Sequence, residues 1–271
     1  MLSAGSLVFV AVSGLLLGVA VGCTGVGGVL LVPLLLYGAG LEVQRAIALA
    51  LYSYLLSGVV AVILYARRGS IRGRPAGWLC LGALPGAYLG ARAVHFVPGG
   101  LLQALIAVAL LAAGLHAASP PKAESHPGRV LGGAVLVALG GVTGFVSALV
   151  GGGGAFLLVP LLLALGQPLL LAVGLGQVIQ LPISAVASYA NLRAGLVDIS
   201  LGTELAVCLA LGIAVGTPLA HALPQLSLRR VLALTMLLAG LAIGVRLVLR
   251  QKSPTGTGTT LQGAHFFAVR H

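Results

Sequence analysis

From residue 3 to residue 249 the chain is a succession of apolar runs, parted by little more than short basic or glycine-rich segments. The runs are 3–21, 27–39, 45–66, 76–96, 101–118, 130–149, 154–166, 169–190, 200–222 and 229–249. No globule of this length hides so much apolar surface from water, because the ratio of surface to volume limits burial. Only 7% of the residues are charged, against roughly 25% in ordinary soluble domains. Lipid is therefore the solvent for much of the chain. A backbone in hydrocarbon must satisfy its own polar groups, which makes each run a helix. About 20 residues cross the hydrocarbon. Eight runs approach that length, while 27–39 and 154–166 have 13 residues each. The expected fold is an all-α polytopic membrane protein, with about eight spanning helices and two short broken or re-entrant segments.

The formal charge of +11 comes from 15 Lys and Arg against 4 acids. A nucleic-acid partner would call for basic residues clustered on a soluble face. Here they sit between apolar runs, in "ARRGSIRGRP" (66–75), "KAESHPGR" (122–129) and "LRR" (228–230). That is the pattern of positive charge that holds membrane loops in the cytoplasm. Cys23, Cys80 and Cys208 lie far apart inside apolar runs, where a thiol is a small packing group. They have no metal-ligand spacing, so no metal site is expected. There is no "HExxH" and no pair of acids suited to proton transfer, so no catalytic residues are assigned. No "GK[ST]" follows the glycines, and no nucleotide or other cofactor is expected. A cleaved signal peptide is not expected either, since the N-terminus has no basic leader.

The chain repeats itself. "GCTGVGGVLLVP" (22–33) has a counterpart in "VGGGGAFLLVP" (150–160), with Pro33 and Pro160 at an offset of 127. Beyond them the offset becomes 126. "RAIALAL" (45–51) then faces "LAVGLGQ" (171–177), "ARRGSI" (66–71) faces "LRAGLV" (192–197), and "LGALPGAYLG" (81–90) faces "LGIAVGTPLA" (211–220). We expect two tandem repeats, 1–118 and 130–250. The polar, proline-containing stretch 119–129 links them, and a Gly/Thr-rich tail, 251–271, is expected to be disordered. Gly82/Gly86 and Gly212/Gly216 have the GxxxG spacing of close membrane-helix packing.

Glycine clusters in apolar ground do something else. Four in succession, Gly151 to Gly154, should stop a helix, since each weakens it by about 1 kcal/mol relative to alanine. Pro33 and Pro160 each withhold one N–H and bias Val32 and Val159 away from helical backbone. Each half is thus expected to contain a broken helix whose short second piece opens with free amides and the positive end of a dipole. An anion is the natural partner of such amides. Paired interruptions in corresponding places of two repeats mark the central site of a transporter. The candidate substrate-binding residues are Gly25, Gly27, Gly28 and Pro33 in the first half, and Gly152, Gly153, Gly154 and Pro160 in the second.

Polar side chains within the spans are few. Gln177 and Gln180 share a helix face, and the matching span carries Tyr52, Ser53, Tyr54 and Ser57. Gln177, Gln180 and Tyr54 join the candidate site, although interhelical hydrogen bonding explains such groups as well. Asn191 and Arg193 match Tyr65 and Arg67 and are expected in a loop.

"GVGGVLLVP" and "GGGGAFLLVP", each opening a half and each followed by an apolar span and a short basic loop, resemble the sulfite exporter family of TauE/SafE type. The resemblance covers roughly residues 5–250, and the first copy departs from it at Val26, which interrupts the glycine run. It implies a multi-pass protein of the cell (inner) membrane, not an enzyme, that moves sulfite, an organosulfonate or a related sulfur compound. The expected partners are a small anionic substrate, the lipid bilayer and a coupling ion, H+ or Na+. A permease for another substrate such as a metal ion, or a membrane structural or sensor protein, stays open as an alternative.

The loop 66–75 is expected in the cytoplasm. If each short piece carries the chain onward, the two halves run parallel. If it returns to its side of origin, the halves are inverted. The inverted case brings Arg229 and Arg230 inside but leaves Arg250 and Lys252 outside. Both arrangements are open from the sequence.

Overall fold

In the structure, a computed structural model, residues 4–24, 27–69, 71–118, 131–222 and 225–252 are described. Among them the regular structure is entirely helical. The elements are α1 (Ala4–Thr24), a 3-10 turn (Gly27–Leu30), α2 (Leu31–Gly38), α3 (Val43–Arg67), α4 (Gly73–Ala93), α5 (Gly99–Ala118), α6 (Gly133–Val150), α7 (Ala155–Ala164), α8 (Leu169–Arg193), α9 (Ile199–Ala222) and α10 (Gln225–Lys252). Eight are long, and α2 and α7 are the short pieces expected from the two 13-residue runs. By length and composition alone, Val43–Arg67, Gly133–Val150, Leu171–Arg193 and Ile199–Leu219 can cross a membrane, and shorter apolar helices accompany them. The linker 119–129 lies outside the described residues, as does the tail from residue 253 onward.

α3 and α8 form the middle of the bundle. The apolar window of α8 is 72% buried and that of α3 is 56% buried. The outer helices turn large apolar side chains outward, among them Leu16, Leu81, Val108, Leu211 and Leu241. Such a surface is stable in lipid, where an exposed leucine costs nothing.

Close contacts fix the helix directions. Gly14 faces Leu205, Gly18 faces Leu209 and Gly212, and Gly22 faces Ile213 and Thr217, so α1 and α9 run parallel. Gly82 faces Val137 and Gly141, and Gly90 faces Phe145 and Ala148, so α4 and α6 run parallel too. α3 also runs parallel to α9, since Ser53 meets Gly202 and Arg68 reaches Thr217. α1 and α3 therefore point the same way. The short unit between them must carry the chain back toward the side where α1 began, which we term side A. α3 ends on the opposite side, side B, and α4 returns to side A. α6, parallel to α4, thus starts from side B and runs against α1. The two halves are inverted, the case that charge alone left open.

Inversion makes the contacts reciprocal. In the sequence correspondence α9 is the counterpart of α4 and α6 that of α1, so the pairs α1–α9 and α6–α4 exchange with each other. The pair α5–α10 maps onto itself and is antiparallel, with Gly114 at Leu237 and Gly240 at Leu111. Left-handed glycines repeat in register: Gly40 and Gly166 follow α2 and α7, and Gly69 and Gly195 follow α3 and α8.

The GxxxG glycines pack as expected. A Cβ on Gly82 would lie 2.0 Å from the Val137 carbonyl oxygen, and one on Gly216 would lie 2.2 Å from that of Val19. Two expectations fail. Val32 and Val159 are helical, as are Pro33 and Pro160. Pro33 is the third residue of α2, in the first turn, where an N–H has no intrahelical acceptor to lose. Pro160 sits farther in and withholds only the bond to the Phe156 carbonyl. Nor is Asn191 in a loop. It lies inside α8 and is 1% exposed.

Candidate functional site

The two glycine breaks meet. α6 ends at Val150, and Gly151, with φ +73°, accepts its capping role by donating its N–H to the Ser147 carbonyl at 2.8 Å. Gly153 is again left-handed, φ +72°, which an L side chain resists by about 1–2 kcal/mol. The next helix, α7, begins with no side-chain cap. Its first amides, on Ala155, Phe156 and Leu157, have no intrahelical acceptor, and the first helical bond is Leu158 N–H to Gly154 O at 3.3 Å. In the first half α1 ends at Thr24, and the described chain resumes as the 3-10 turn that starts at Gly27.

Gly28 lies against Gly152 and Tyr54. A Cβ on Gly28 would be 3.2 Å from the Tyr54 hydroxyl and 3.3 Å from the Gly152 carbonyl oxygen. The hydroxyl of Tyr54 donates to the Gly28 carbonyl. On the other side, a Cβ on Gly153 would be 2.9 Å from Gln180 Oε1 and 3.6 Å from the Tyr54 ring. Tyr54 and Gln180 hold corresponding positions in α3 and α8, at the offset of 126. Each half thus contributes one glycine break and one polar side chain from its central helix. Ser147 closes the arrangement, with its hydroxyl donating to the Gly153 carbonyl at 2.9 Å.

The structure therefore brings together Gly28, Tyr54, Gly152, Gly153, Gly154 and Gln180, with Gly27 next in the chain. Gly25 lies outside the described residues. Pro33 is buried and Pro160 half-buried, each within its short helix. Gln177 is fully buried one turn before Gln180, and neither its carboxamide nitrogen nor its oxygen has a hydrogen-bond partner among the described residues. Of the other polar residues in α3, Ser53 bonds to Leu49 and Gly202 and Ser57 bonds to Ser53, which knits the helix to itself and to α9. Ser147 is a site residue that sequence reasoning misses. The signal was its place three residues before the last residue of a helix that runs into four glycines.

Tyr54→Phe tests the bond at the centre. It leaves the Gly28 carbonyl buried without its donor, at a cost of about 1–3 kcal/mol. For a chain of this size that corresponds to a fall of about 2–4 °C per kcal/mol in the thermal midpoint. Differential scanning in detergent reads it, and an unchanged midpoint would show that the bond contributes nothing to stability.

A bundle of long apolar helices whose two inverted halves each offer an interrupted segment to one buried polar point has the architecture of a membrane transporter. The chain belongs to the sulfite exporter TauE/SafE family, whose family model matches residues 7–246. That family is one of membrane transporters, so the chain is a multi-pass membrane protein with a small-molecule substrate. No curated protein and no solved structure matches it.

Proposed function

We propose that the chain is a secondary transporter for a small anion, sulfite or an organosulfonate, working by alternating access of its two halves. The observation that carries this reading is the meeting of both helix breaks, at Gly28 and at Gly152 to Gly154, beside Tyr54 and Gln180. No side chain named at this junction is charged. The anion would be held by the amides that open α7, by the positive end of that helix, and by neutral donors. A site without a fixed cation binds weakly enough to let the anion leave again. The halves 1–118 and 130–250 are the units that rock about this point, and H+ or Na+ supplies the driving gradient.

Charge supports an orientation. Side B carries Arg67, Arg68, Arg72 and Arg74 around one loop and the start of α10 with Arg229 and Arg230. Side B is then the cytoplasmic face of the cell (inner) membrane, and both ends of the bundle lie on the other face. On side A a half-open pocket of about 890 Å³ is lined by Tyr37, Gln44, Gln103 and Arg246 among others. The Arg246 guanidinium stacks 4.7 Å above the Tyr37 ring, while Glu42 at the rim is held by Arg45 at 4.0 Å. A stacked guanidinium at such a mouth would raise the local concentration of anions.

Purified protein in liposomes loaded with sulfite tests the reading. Sulfite efflux above the protein-free background, altered by an imposed proton or sodium gradient, is the expected result. Folded protein that moves neither sulfite nor a sulfonate under either gradient would overturn it.

A further inference from the structure

One face of α8 is more polar than the junction needs. Gln177, Gln180, Ser184, Ser188 and Asn191 are spaced three or four residues apart and so lie along one stripe of the helix. None is more than 4% exposed. Among the described residues, the carboxamide nitrogen and oxygen of Gln177, the hydroxyls of Ser184 and Ser188, and both polar atoms of Asn191 have no hydrogen-bond partner. Among the described residues, Thr143 Oγ1 is the one further side-chain atom in that state. Native proteins leave few such atoms, because each costs its full desolvation energy. A serine hydroxyl can turn back to the carbonyl four residues earlier. The carboxamides of Gln177 and Asn191 have no such recourse, so they carry most of the weight.

α3 shows that the stripe is not a requirement of the fold. At the matching positions it has Leu51, Tyr54, Gly58, Val62 and Tyr65. There the polar atoms are closed off, the Tyr54 hydroxyl on Gly28 and the Tyr65 hydroxyl on the Gly22 carbonyl at 3.3 Å. Two equivalent central helices thus differ in one respect: one is paired along this face and the other is polar and unpaired. From Gln177 to Asn191 the stripe covers about 21 Å of helix. It runs from the level of the glycine junction to the side A end of α8.

We propose that this face of α8 lines the path of a small oxyanion between the junction and side A, with Ser184, Ser188 and Asn191 as successive contacts beyond Gln180. The proposal rests on the transporter reading and adds the route. Hydroxyls and carboxamides donate to an oxyanion without the charge that would trap it, and a row of weak sites passes an ion along. α3 keeps its half shut with tyrosines, so the polar route belongs to α8.

The test uses cysteine labelling and does not depend on sulfite. In the full chain with Cys23, Cys80 and Cys208 replaced by alanine, single cysteines are introduced as Ser184→Cys, Ser188→Cys and Ile183→Cys. Ile183 is as deeply buried as Ser184 but lies off the stripe. The reconstituted protein is treated with a membrane-impermeant, anionic methanethiosulfonate. The two stripe cysteines are expected to react about tenfold faster than the Ile183 variant, since reaction follows access. Equal rates at all three positions would overturn the route. As a second measurement, Asn191→Leu is expected to lower sulfite flux about tenfold, with partial recovery in Asn191→Gln. Full flux in Asn191→Leu would also count against the route. The stripe pattern without any sulfite flux would leave the route standing and remove sulfite as the cargo. Sulfite flux without the stripe pattern would remove the route and leave the transporter reading.

Discussion

Gly153→Leu will abolish sulfite flux while the protein inserts and purifies like the wild type. Two effects add at this residue. Its φ of +72° is strained for any L side chain, by about 1–2 kcal/mol. Its Cβ would also stand 2.9 Å from Gln180 Oε1, and the rest of a leucine would project into the space shared by Gln180 and Tyr54. The break would then be forced to reshape at the point where a substrate is proposed to bind. Insertion depends on the hydropathy of the spans, which one more leucine does not lower. A loss of flux of about a hundredfold or more, equal to roughly 2.7 kcal/mol in transition-state stabilisation, is expected from vesicles that contain normal amounts of protein. Gly153→Ala adds the strain and a Cβ but no further bulk, and should fall between. Wild-type transport by the leucine variant would deny the glycine junction a central role.

The second large effect concerns assembly rather than transport. Gly86→Leu will leave little folded protein, because α4 and α6 touch backbone to backbone there. A Cβ on Gly86 would lie 2.2 Å from the Gly141 carbonyl oxygen, a distance no rotamer relieves. The helices must part, and the tight contacts at Gly82 and Gly90 along the same interface part with them. Overpacking costs typically about 1–3 kcal/mol in a soluble core, and more where backbone must move. In lipid no hydrophobic force restores the contact, since association rests on close packing itself. Gly77→Leu is the control on the same helix, because nothing lies within 4 Å of a Cβ there. Size-exclusion profiles should show aggregation for the first variant and a normal peak for the second. A normal, stable peak for Gly86→Leu would mean that the α4–α6 contact is dispensable. The inverted arrangement predicts a like result for Gly216→Leu at the α1–α9 interface, where the Cβ would meet the Val19 carbonyl.

These two glycines show how differently a sequence exposes its uses of one residue type. Gly82, Gly86, Gly212 and Gly216 announce close packing by spacing alone, and the structure uses them so. Gly152 to Gly154 announce a broken helix, because a run of glycine stops any helix, but the partners of the break are not written beside it. Tyr54 and Gln180 were legible as rare polar groups in apolar spans. Their meeting over Gly28 and Gly153 was not, since it joins residues more than a hundred positions apart. Asn191 looks like loop in the sequence because hydropathy falls near the end of a span, and a polar residue at a helix end resembles the start of a loop. The helix runs on through it because neighbouring helices bury that turn. Val32 and Val159 are helical against expectation because the bias before proline is a local preference, and the hydrocarbon's demand for helix outweighs it.

The sequence by itself determined that the chain lives in lipid, that its runs are helices, and where two of them break. Each of these follows from the cost of bare peptide groups and charges in hydrocarbon, which acts residue by residue along the chain. Only the tertiary structure decided that the halves are inverted. A piece of twelve residues, from Gly27 to Gly38, spans about half of the hydrocarbon and can as well go on as return. Its direction depends on which helices it packs against, and that contact is invisible to hydropathy. The same holds for the unpaired face of α8, whose polar residues became a route only once α3 was seen to close its own.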